Sequence, residues 1–282
     1  MNARIGRLPW VGRLLQALGV NSVPAVGFLG QGWSIGTTLA LYWVETVLVI
    51  ALVATRIVVH RRLTRKAGHW NVPLETRVTV ARRTSIRHGQ TTFLAGFLGI
   101  MVPFTAGHGL FLGLLIFLVL PEFGGPAAGV TLADLEAGAL AVAMFLVVGL
   151  LFDLIGLRDR PFRWIECVAE RAQGRMFVTH LTIIFGMLAM AVWEAPAALF
   201  AVFVGLKTLV DLGSLMPDRP EPPEPPRWLR WLDRFGPGRA GLNFSAHYRQ
   251  SVEDARRRHE ANERLVEGGP AGLAPRADST RE

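Results

Sequence analysis

The stretch IGTTLALYWVETVLVIALVATRIVV, residues 35–59, decides the fold class of this chain. It is almost entirely apolar, and Glu45 is the one acidic residue inside it. An apolar run of about 20 residues or more can cross a hydrocarbon core of roughly 30 Å as a helix. Because only helices and closed barrels satisfy the backbone in lipid, and because the run is long, we predict a membrane-spanning helix here.

The same kind of run recurs along the rest of the 282-residue chain. The further apolar segments are residues 14–32, 92–120, 135–155, 176–193 and 197–215. Only 18% of the residues are charged, against about 25% in an average soluble domain, which argues against a soluble or disordered chain. We therefore predict an all-α, polytopic membrane bundle of six transmembrane helices within residues 1–216. Short turns join the first two helices and the last two, so each pair is expected to form a hairpin.

The basic residues fall on one side of the predicted bundle. Of the 30 Lys and Arg residues, all but Lys207 lie at the N terminus, between the second and third helices, between the fourth and fifth, or in the tail. Cytoplasmic loops carry an excess of positive charge, so both termini are expected in the cytoplasm. The net charge of +8 is therefore attributed to topology and to contact with anionic lipid head groups, and not to nucleic acid binding. The oligomeric state stays open.

The tail, residues 217–282, differs from the bundle in composition. PDRPEPPEPP (residues 217–226) predicts a stiff extended spacer, and RWLRWLDRF (residues 227–235) predicts a short basic amphipathic helix at the membrane interface. A polar helix is expected from Ser251 to about Val266, followed by a disordered end. Cys167 is the single cysteine of the chain, so no intrachain disulfide is expected.

Asp153 lies near the inner end of the fourth segment, where we expect it at the membrane interface. Five ionisable residues lie deeper inside the apolar segments, where exposure to lipid is costly. They are Glu45, His108, His180, Lys207 and Asp211. Counting about 1.5 Å per residue from the outer turns places three of them about 18 Å deep, and His180 and Asp211 roughly 23 Å deep. We therefore expect one cluster in the bundle core, in which Lys207 pairs with Asp211. Glu45 should contact Lys207 or a histidine, and His180 should lie near Asp211 or Lys207.

Three classes of function fit such a cluster, to which Tyr42 adds a hydroxyl one turn above Glu45. The first is a structural network or a site for a small ligand, including a divalent metal ion held by Glu45, His108 and His180. The second is a small-solute or ion transporter or a proton-coupled channel, and the third is an intramembrane metal-dependent enzyme. A cavity beside the cluster would distinguish ligand binding from a purely structural network. Whether the chain is an enzyme stays open, because no phosphate loop, nucleophile elbow or dinucleotide fingerprint occurs.

Several motifs resemble those of an uncharacterised prokaryotic family of multi-pass membrane proteins, known only as a domain of unknown function. They are NSVPAVGFLGQGWS (residues 21–34), LYWVE (41–45), HGLFL (108–112), HLTIIFG (180–186) and LKTLVDL (206–212). The resemblance covers residues 21–212 and leaves the tail outside. It implies the cytoplasmic membrane of a bacterium or archaeon and the same site residues, with no known activity. The chain departs from the family pattern at Thr46, where Asn is usual, and at Ile100, where many members have a His that a metal site could use.

Overall fold

The bundle is built from seven helices in the part of the chain that is described. The computed structural model describes residues 8–70, 92–119, 129–193, 196–213, 224–226 and 244–266. Its helices are α1 (Leu8–Gly30), α2 (Ile35–Thr64), α3 (Phe93–Leu114), α4 (Leu132–Leu154), α5 (Phe162–Trp193), α6 (Pro196–Gly213) and α7 (Phe244–Glu263). Short 3₁₀ turns lie at Ala67–His69 and Leu157–Asp159, and a π-helical turn, Leu115–Val119, follows α3. The described residues contain no β-strand, as the all-α prediction expects.

Helix ends follow from local capping. The side chain of Ser34 accepts a hydrogen bond from the Thr37 amide at 2.9 Å and so begins α2. Thr92 begins α3 in the same way, through the Ala95 amide at 3.2 Å. Helix α2 ends at Arg65, whose φ of 50° places it in the left-handed region. For α2 and α3, the predicted first residues therefore lie within one residue of the observed helix starts.

Helix α2 occupies the middle of the bundle. It packs against α4, α3 and α5, while α1 packs against α4 and α6, and α5 against α6. One apolar core joins Ile50 and Ile57 of α2 to Met101 of α3 and Ile165 of α5. A second core contains Val20, Trp33, Leu41, Val142 and Leu146 from α1, α2, α4 and the turn between α1 and α2. Helix α2 therefore lies between the other helices that supply the site residues described below.

The pair of α1 and α4 is packed closely through small residues. A side chain at Gly19 would collide with the Phe145 ring, and one at Gly149 would collide with Gln16. Small residues that let backbones approach are typical of helix pairs in membranes, where packing drives association in place of the hydrophobic effect.

Three of the described helices are long and apolar enough to cross a membrane, where the sequence analysis expects six. They are Ile35–Thr64, Phe93–Leu118 and Leu132–Leu154. Large apolar side chains on their outer faces, such as Phe117, Leu110 and Leu140, are exposed, as a lipid-facing surface requires. Helix α1 carries Arg13 and further polar side chains, which lower its hydropathy. In the α5–α6 hairpin, the side chains of residues 182–183 and 185–204 lie outside the described part.

Helix α5 begins much earlier than the sequence predicts. The apolar segment starts at residue 176, and the sequence predicts a loop for the basic residues before it. The structure instead continues one helix from Phe162 to Trp193, because no Pro or loop-forming cluster interrupts these residues. Arg175 is consequently part of a packed helix inside the bundle.

The helix of the tail, α7, packs against the end of the bundle near α2 and α5. It begins at Phe244, ahead of the predicted start at Ser251, whose hydroxyl donates to the Tyr248 carbonyl at 2.8 Å inside the helix. Lys66 and Glu263 form an ion pair at 2.6 Å, and the Ala67 amide donates to the Arg264 carbonyl at 2.8 Å. The predicted interfacial helix at residues 227–235 and the chain end at 267–282 lie outside the described residues.

Candidate functional site

Four charged side chains meet inside the bundle and form what we call the charge cluster: Glu45, Arg175, Lys207 and Asp211. The Lys207 ammonium lies 3.1 Å from Glu45 Oε1 and 3.1 Å from Asp211 Oδ2. The Arg175 Nε lies 2.8 Å from Asp211 Oδ1, and its Nη2 donates to Glu45. Two positive and two negative groups therefore neutralise one another, as charges withdrawn from water require.

Local helix geometry and two neutral side chains hold the cluster in place. Lys207 and Asp211 lie four residues apart on α6, hence on one face of that helix. From α1, Asn21 donates to Asp211 at 2.7 Å and accepts from Lys207 at 3.0 Å. The Tyr42 ring lies under the Lys207 ammonium, 5.2 Å away, at a distance suited to a cation–π contact.

Burial of the cluster is nearly complete. Glu45, Lys207 and Asp211 are each only 3% exposed. Glu45 Oε2 is buried without a hydrogen-bond partner among the described residues. The Glu45 side chain lines a cavity of about 10 Å³ together with Thr46 and Thr179, roughly the space that one water molecule needs. The second oxygen of this carboxylate is thus available to a water or a proton.

The two predicted site histidines form a separate pair. His108 of α3 and His180 of α5 approach through their Nδ1 atoms at 2.7 Å, so one ring donates and the other accepts. The rings of Phe104 and Phe111 flank them, with centroids 5.4 and 6.0 Å from that of His180. His180 therefore pairs with His108, and not with Asp211 or Lys207 as expected.

The expected metal triad of Glu45, His108 and His180 is not assembled. In the described part of the chain, no group of three or more His, Cys, Asp or Glu side chains is placed to hold a metal ion. Glu45 is instead engaged by two cationic groups.

A second charged group surrounds Asp153, at the end of the bundle where α2 and α4 finish. Asp153 accepts from Arg13 Nε at 3.2 Å and from Arg56 Nε at 3.0 Å, and Arg160 lies 3.7 Å away. Asp153 is only 5% exposed. Its position near the end of an apolar segment predicts a site at the membrane interface, whereas the structure buries Asp153 among three arginines from three different parts of the chain.

A cavity of about 130 Å³ lies between the charge cluster and the Asp153 group. Its polar wall consists of Arg13, Gln16, Arg56, Asp153, Arg171, Arg175 and Asp211. The rest of the lining is largely aliphatic and includes Val49, Leu52, Val53, Leu146, Val168 and Val210. The larger cavity and the water-sized one share Val49, Ala172 and Arg175 in their linings, so they lie next to each other.

Another histidine pair joins the end of α2 to the 3₁₀ turn that follows it. His60 Nδ1 lies 2.8 Å from His69 Nε2, and His60 Nε2 lies 3.1 Å from the Arg160 carbonyl. Burial, and then the charges of His60, Arg61 and Lys66, lower the pKa of His69 from 6.5 to about 3. His69 therefore stays neutral in the folded protein at ordinary pH.

Sequence reasoning missed Arg175, Asn21 and the arginines around Asp153. The positive-inside pattern assigns Arg175 and Arg56 to the basic loops, and Asn21 occurs only as the first residue of the motif at residues 21–34. One signal in the sequence could have indicated Arg175. No helix-breaking residue separates it from the apolar segment at residue 176, so the helix can continue through it.

The chain belongs to a family of unknown function, DUF6498, which matches residues 11–259. The match extends beyond residue 212 and reaches residue 259, so it covers most of α7. No curated protein and no solved structure is significantly similar to the chain.

Proposed function

We propose that this protein is a multi-pass membrane protein that binds a small ligand in the 130 Å³ cavity beside the charge cluster. The observation that carries the proposal is the position of this cavity between two buried charged groups. A purely structural network would leave no space beside its paired charges. Ligand sites, in contrast, combine an aliphatic wall with a few converging polar groups, as this cavity does.

The proposed topology has six spanning helices, with α1, α5 and α6 completing the three apolar ones. Both termini would lie in the cytoplasm of a bacterium or archaeon, and the basic residues of that side would contact anionic lipid head groups. The cavity residues Arg13, Arg56 and Arg171 belong to the same basic end, so the cavity would open toward the cytoplasm. Fusions of a reporter active only outside the cytoplasm test this topology, and strong activity after His69 would contradict it.

Filling the cavity tests ligand binding directly. Ala172 lines both cavities and is 5% exposed, so Ala172→Leu places additional methyl groups inside. Native mass spectrometry of the protein released from nanodiscs should show an adduct of constant mass in the wild type and its loss in Ala172→Leu. Ala51→Leu, at an exposed position of α2, is the matched control and should keep the adduct. Absence of any adduct from the wild type, or its persistence in Ala172→Leu, would contradict the proposal.

Transport of the same ligand is the second candidate. The observation that favours it is the water-sized cavity beside Glu45, which offers a second space next to the charge cluster. Uptake of the adduct compound into proteoliposomes, abolished by Glu45→Gln, would distinguish a transporter from a binding protein.

A further inference from the structure

The polar wall of the larger cavity carries an excess of positive charge. Four arginines, Arg13, Arg56, Arg171 and Arg175, and two aspartates, Asp153 and Asp211, line it, and three of these arginines are paired with the aspartates. From this arrangement we infer that the ligand is a small oxyanion, a carboxylate or a phosphate group; the inference rests on the proposed function and names its ligand class.

Both carboxylates of the wall already have more than one cationic partner. Asp153 has Arg13 and Arg56 within 3.2 Å, and Asp211 has Arg175 and Lys207 within 3.1 Å. Asp153 therefore neutralises only one of the two arginines that it binds in the cavity lining. A bound oxyanion would supply the missing negative charge without moving any of these side chains.

Arg56 has donors that point away from its aspartate partner. It binds Asp153 through Nε, and among the described residues its two Nη groups donate to no other side chain. The Arg56 side chain is only 6% exposed, yet it lines the cavity. Arg13 likewise uses Nε for Asp153. Guanidinium forks of this kind match the geometry of carboxylate and phosphate oxygens.

The size and the second wall of the cavity limit the ligand further. A cavity of about 130 Å³ is close to the roughly 150 Å³ engineered cavity that accepts benzene, a molecule of six heavy atoms. The aliphatic wall of Val53 and Leu146 suits a short apolar part beside the anionic head. The oxyanion could come from a free organic acid or phosphate, or from the head group of an anionic lipid, and all of these share this chemistry.

The test uses the full chain in nanodiscs of phosphatidylcholine alone, with thermal unfolding and calorimetry as readouts. Butyrate, butyramide and inorganic phosphate are the probes; butyrate and butyramide match in heavy-atom number and differ in charge. Nanodiscs containing phosphatidylglycerol form a separate arm without added probe. We expect butyrate or phosphate to bind and to raise the unfolding temperature, and butyramide to have no effect. If only phosphatidylglycerol raises the unfolding temperature of the protein, the site still binds an oxyanion, and that oxyanion is the phosphate of a lipid head group.

Variants connect the binding to the cavity. Arg171→Gln, at a partly exposed position, should weaken anion binding at least about tenfold, as the loss of a hydrogen bond to a charged group implies. Arg56→Gln should weaken it at least as much if the variant folds. Arg158→Gln, which removes an exposed arginine at the same end of the bundle, is the matched control and should bind normally. Equal binding of butyramide and butyrate would overturn the anion class while leaving the proposed ligand site intact. Equal losses in Arg158→Gln and Arg171→Gln would overturn the anion site, because they would reflect surface charge alone.

Discussion

Replacing Lys207 by Met removes one charge from the centre of the charge cluster without removing the bulk of the side chain. The ammonium lies 3.1 Å from a carboxylate oxygen of Glu45 and 3.1 Å from one of Asp211. Lys207→Met therefore leaves two carboxylates with Arg175 as their remaining cationic partner in the cluster. Breaking a buried ion pair costs about 3–5 kcal/mol. We expect a loss of about 3 kcal/mol, at the lower end, because Arg175 stays 2.8 Å from Asp211.

The double variant Lys207→Met with Asp211→Asn restores neutrality. Glu45 and Arg175 then remain as one pair, and the Asn at position 211 can still accept the hydrogen bond of Asn21. We expect this variant to be about 2 kcal/mol more stable than Lys207→Met alone, a coupling within the range seen for residues in direct contact.

Unfolding by dodecyl sulfate in mixed micelles, followed by the emission of the eight tryptophans, measures these free energies. Lys66→Met is the control, because the Lys66 ion pair at the bundle end is partly exposed and should contribute about 1 kcal/mol or less. The reasoning fails if Lys207→Met costs no more than Lys66→Met, or if the double variant is less stable than the single one.

Acidification below about pH 6.5 should destabilise the protein, because the pKa of His69 falls from 6.5 to about 3 on folding and the unfolded chain takes up the proton first. His69→Gln should flatten the dependence of unfolding temperature on pH between about 6.5 and 4, and an unchanged slope would refute this assignment. Asp153→Asn should cost about 3 kcal/mol, since it leaves three arginines uncompensated, whereas Asp159→Asn at an exposed position should cost about 0.5 kcal/mol or less; equal costs in thermal unfolding would contradict the geometry. Glu263→Ala should accelerate amide hydrogen exchange throughout α7 several-fold, because it removes the contact with Lys66, and Glu260→Ala on the same helix should not.

The sequence could predict those site residues that are charged and lie inside apolar segments. Glu45, Lys207 and Asp211 stand out because lipid tolerates them poorly, and the structure brings these three together. The spacing of Lys207 and Asp211 already determined their pairing on one helix face. Helix existence was equally accessible from the apolar runs, and the described helices overlap all six predicted segments.

The partner of His180 could not be predicted from the sequence, because the rotation of each helix about its axis was unknown. Depth can be counted from helix rise, but the direction of a side chain depends on neighbouring contacts that rise does not contain. Arg175 faces the charge cluster, and His180 follows it by five residues, or about 140° around the helix at 3.6 residues per turn. His180 therefore points toward α3 and meets His108.

Arg175 and Arg56 show a second limit of the sequence. Both lie close to the ends of apolar segments, where a basic residue ordinarily marks the cytoplasmic boundary. Only the packing of α1, α4 and α6 around them shows that they are buried partners of Asp211 and Asp153.

The most direct test of the central claim is the reactivity of a cysteine placed in the cavity. Ala17 lines the larger cavity, and Cys167 is buried, so Ala17→Cys in a Cys167→Ala background offers one target. The probe is a negatively charged, membrane-impermeant thiosulfonate. We expect rapid modification in inside-out vesicles, slower modification in the presence of butyrate or phosphate, and none in intact cells. Modification from the outside, or none from either side, would contradict a cytoplasm-facing ligand cavity beside the charge cluster.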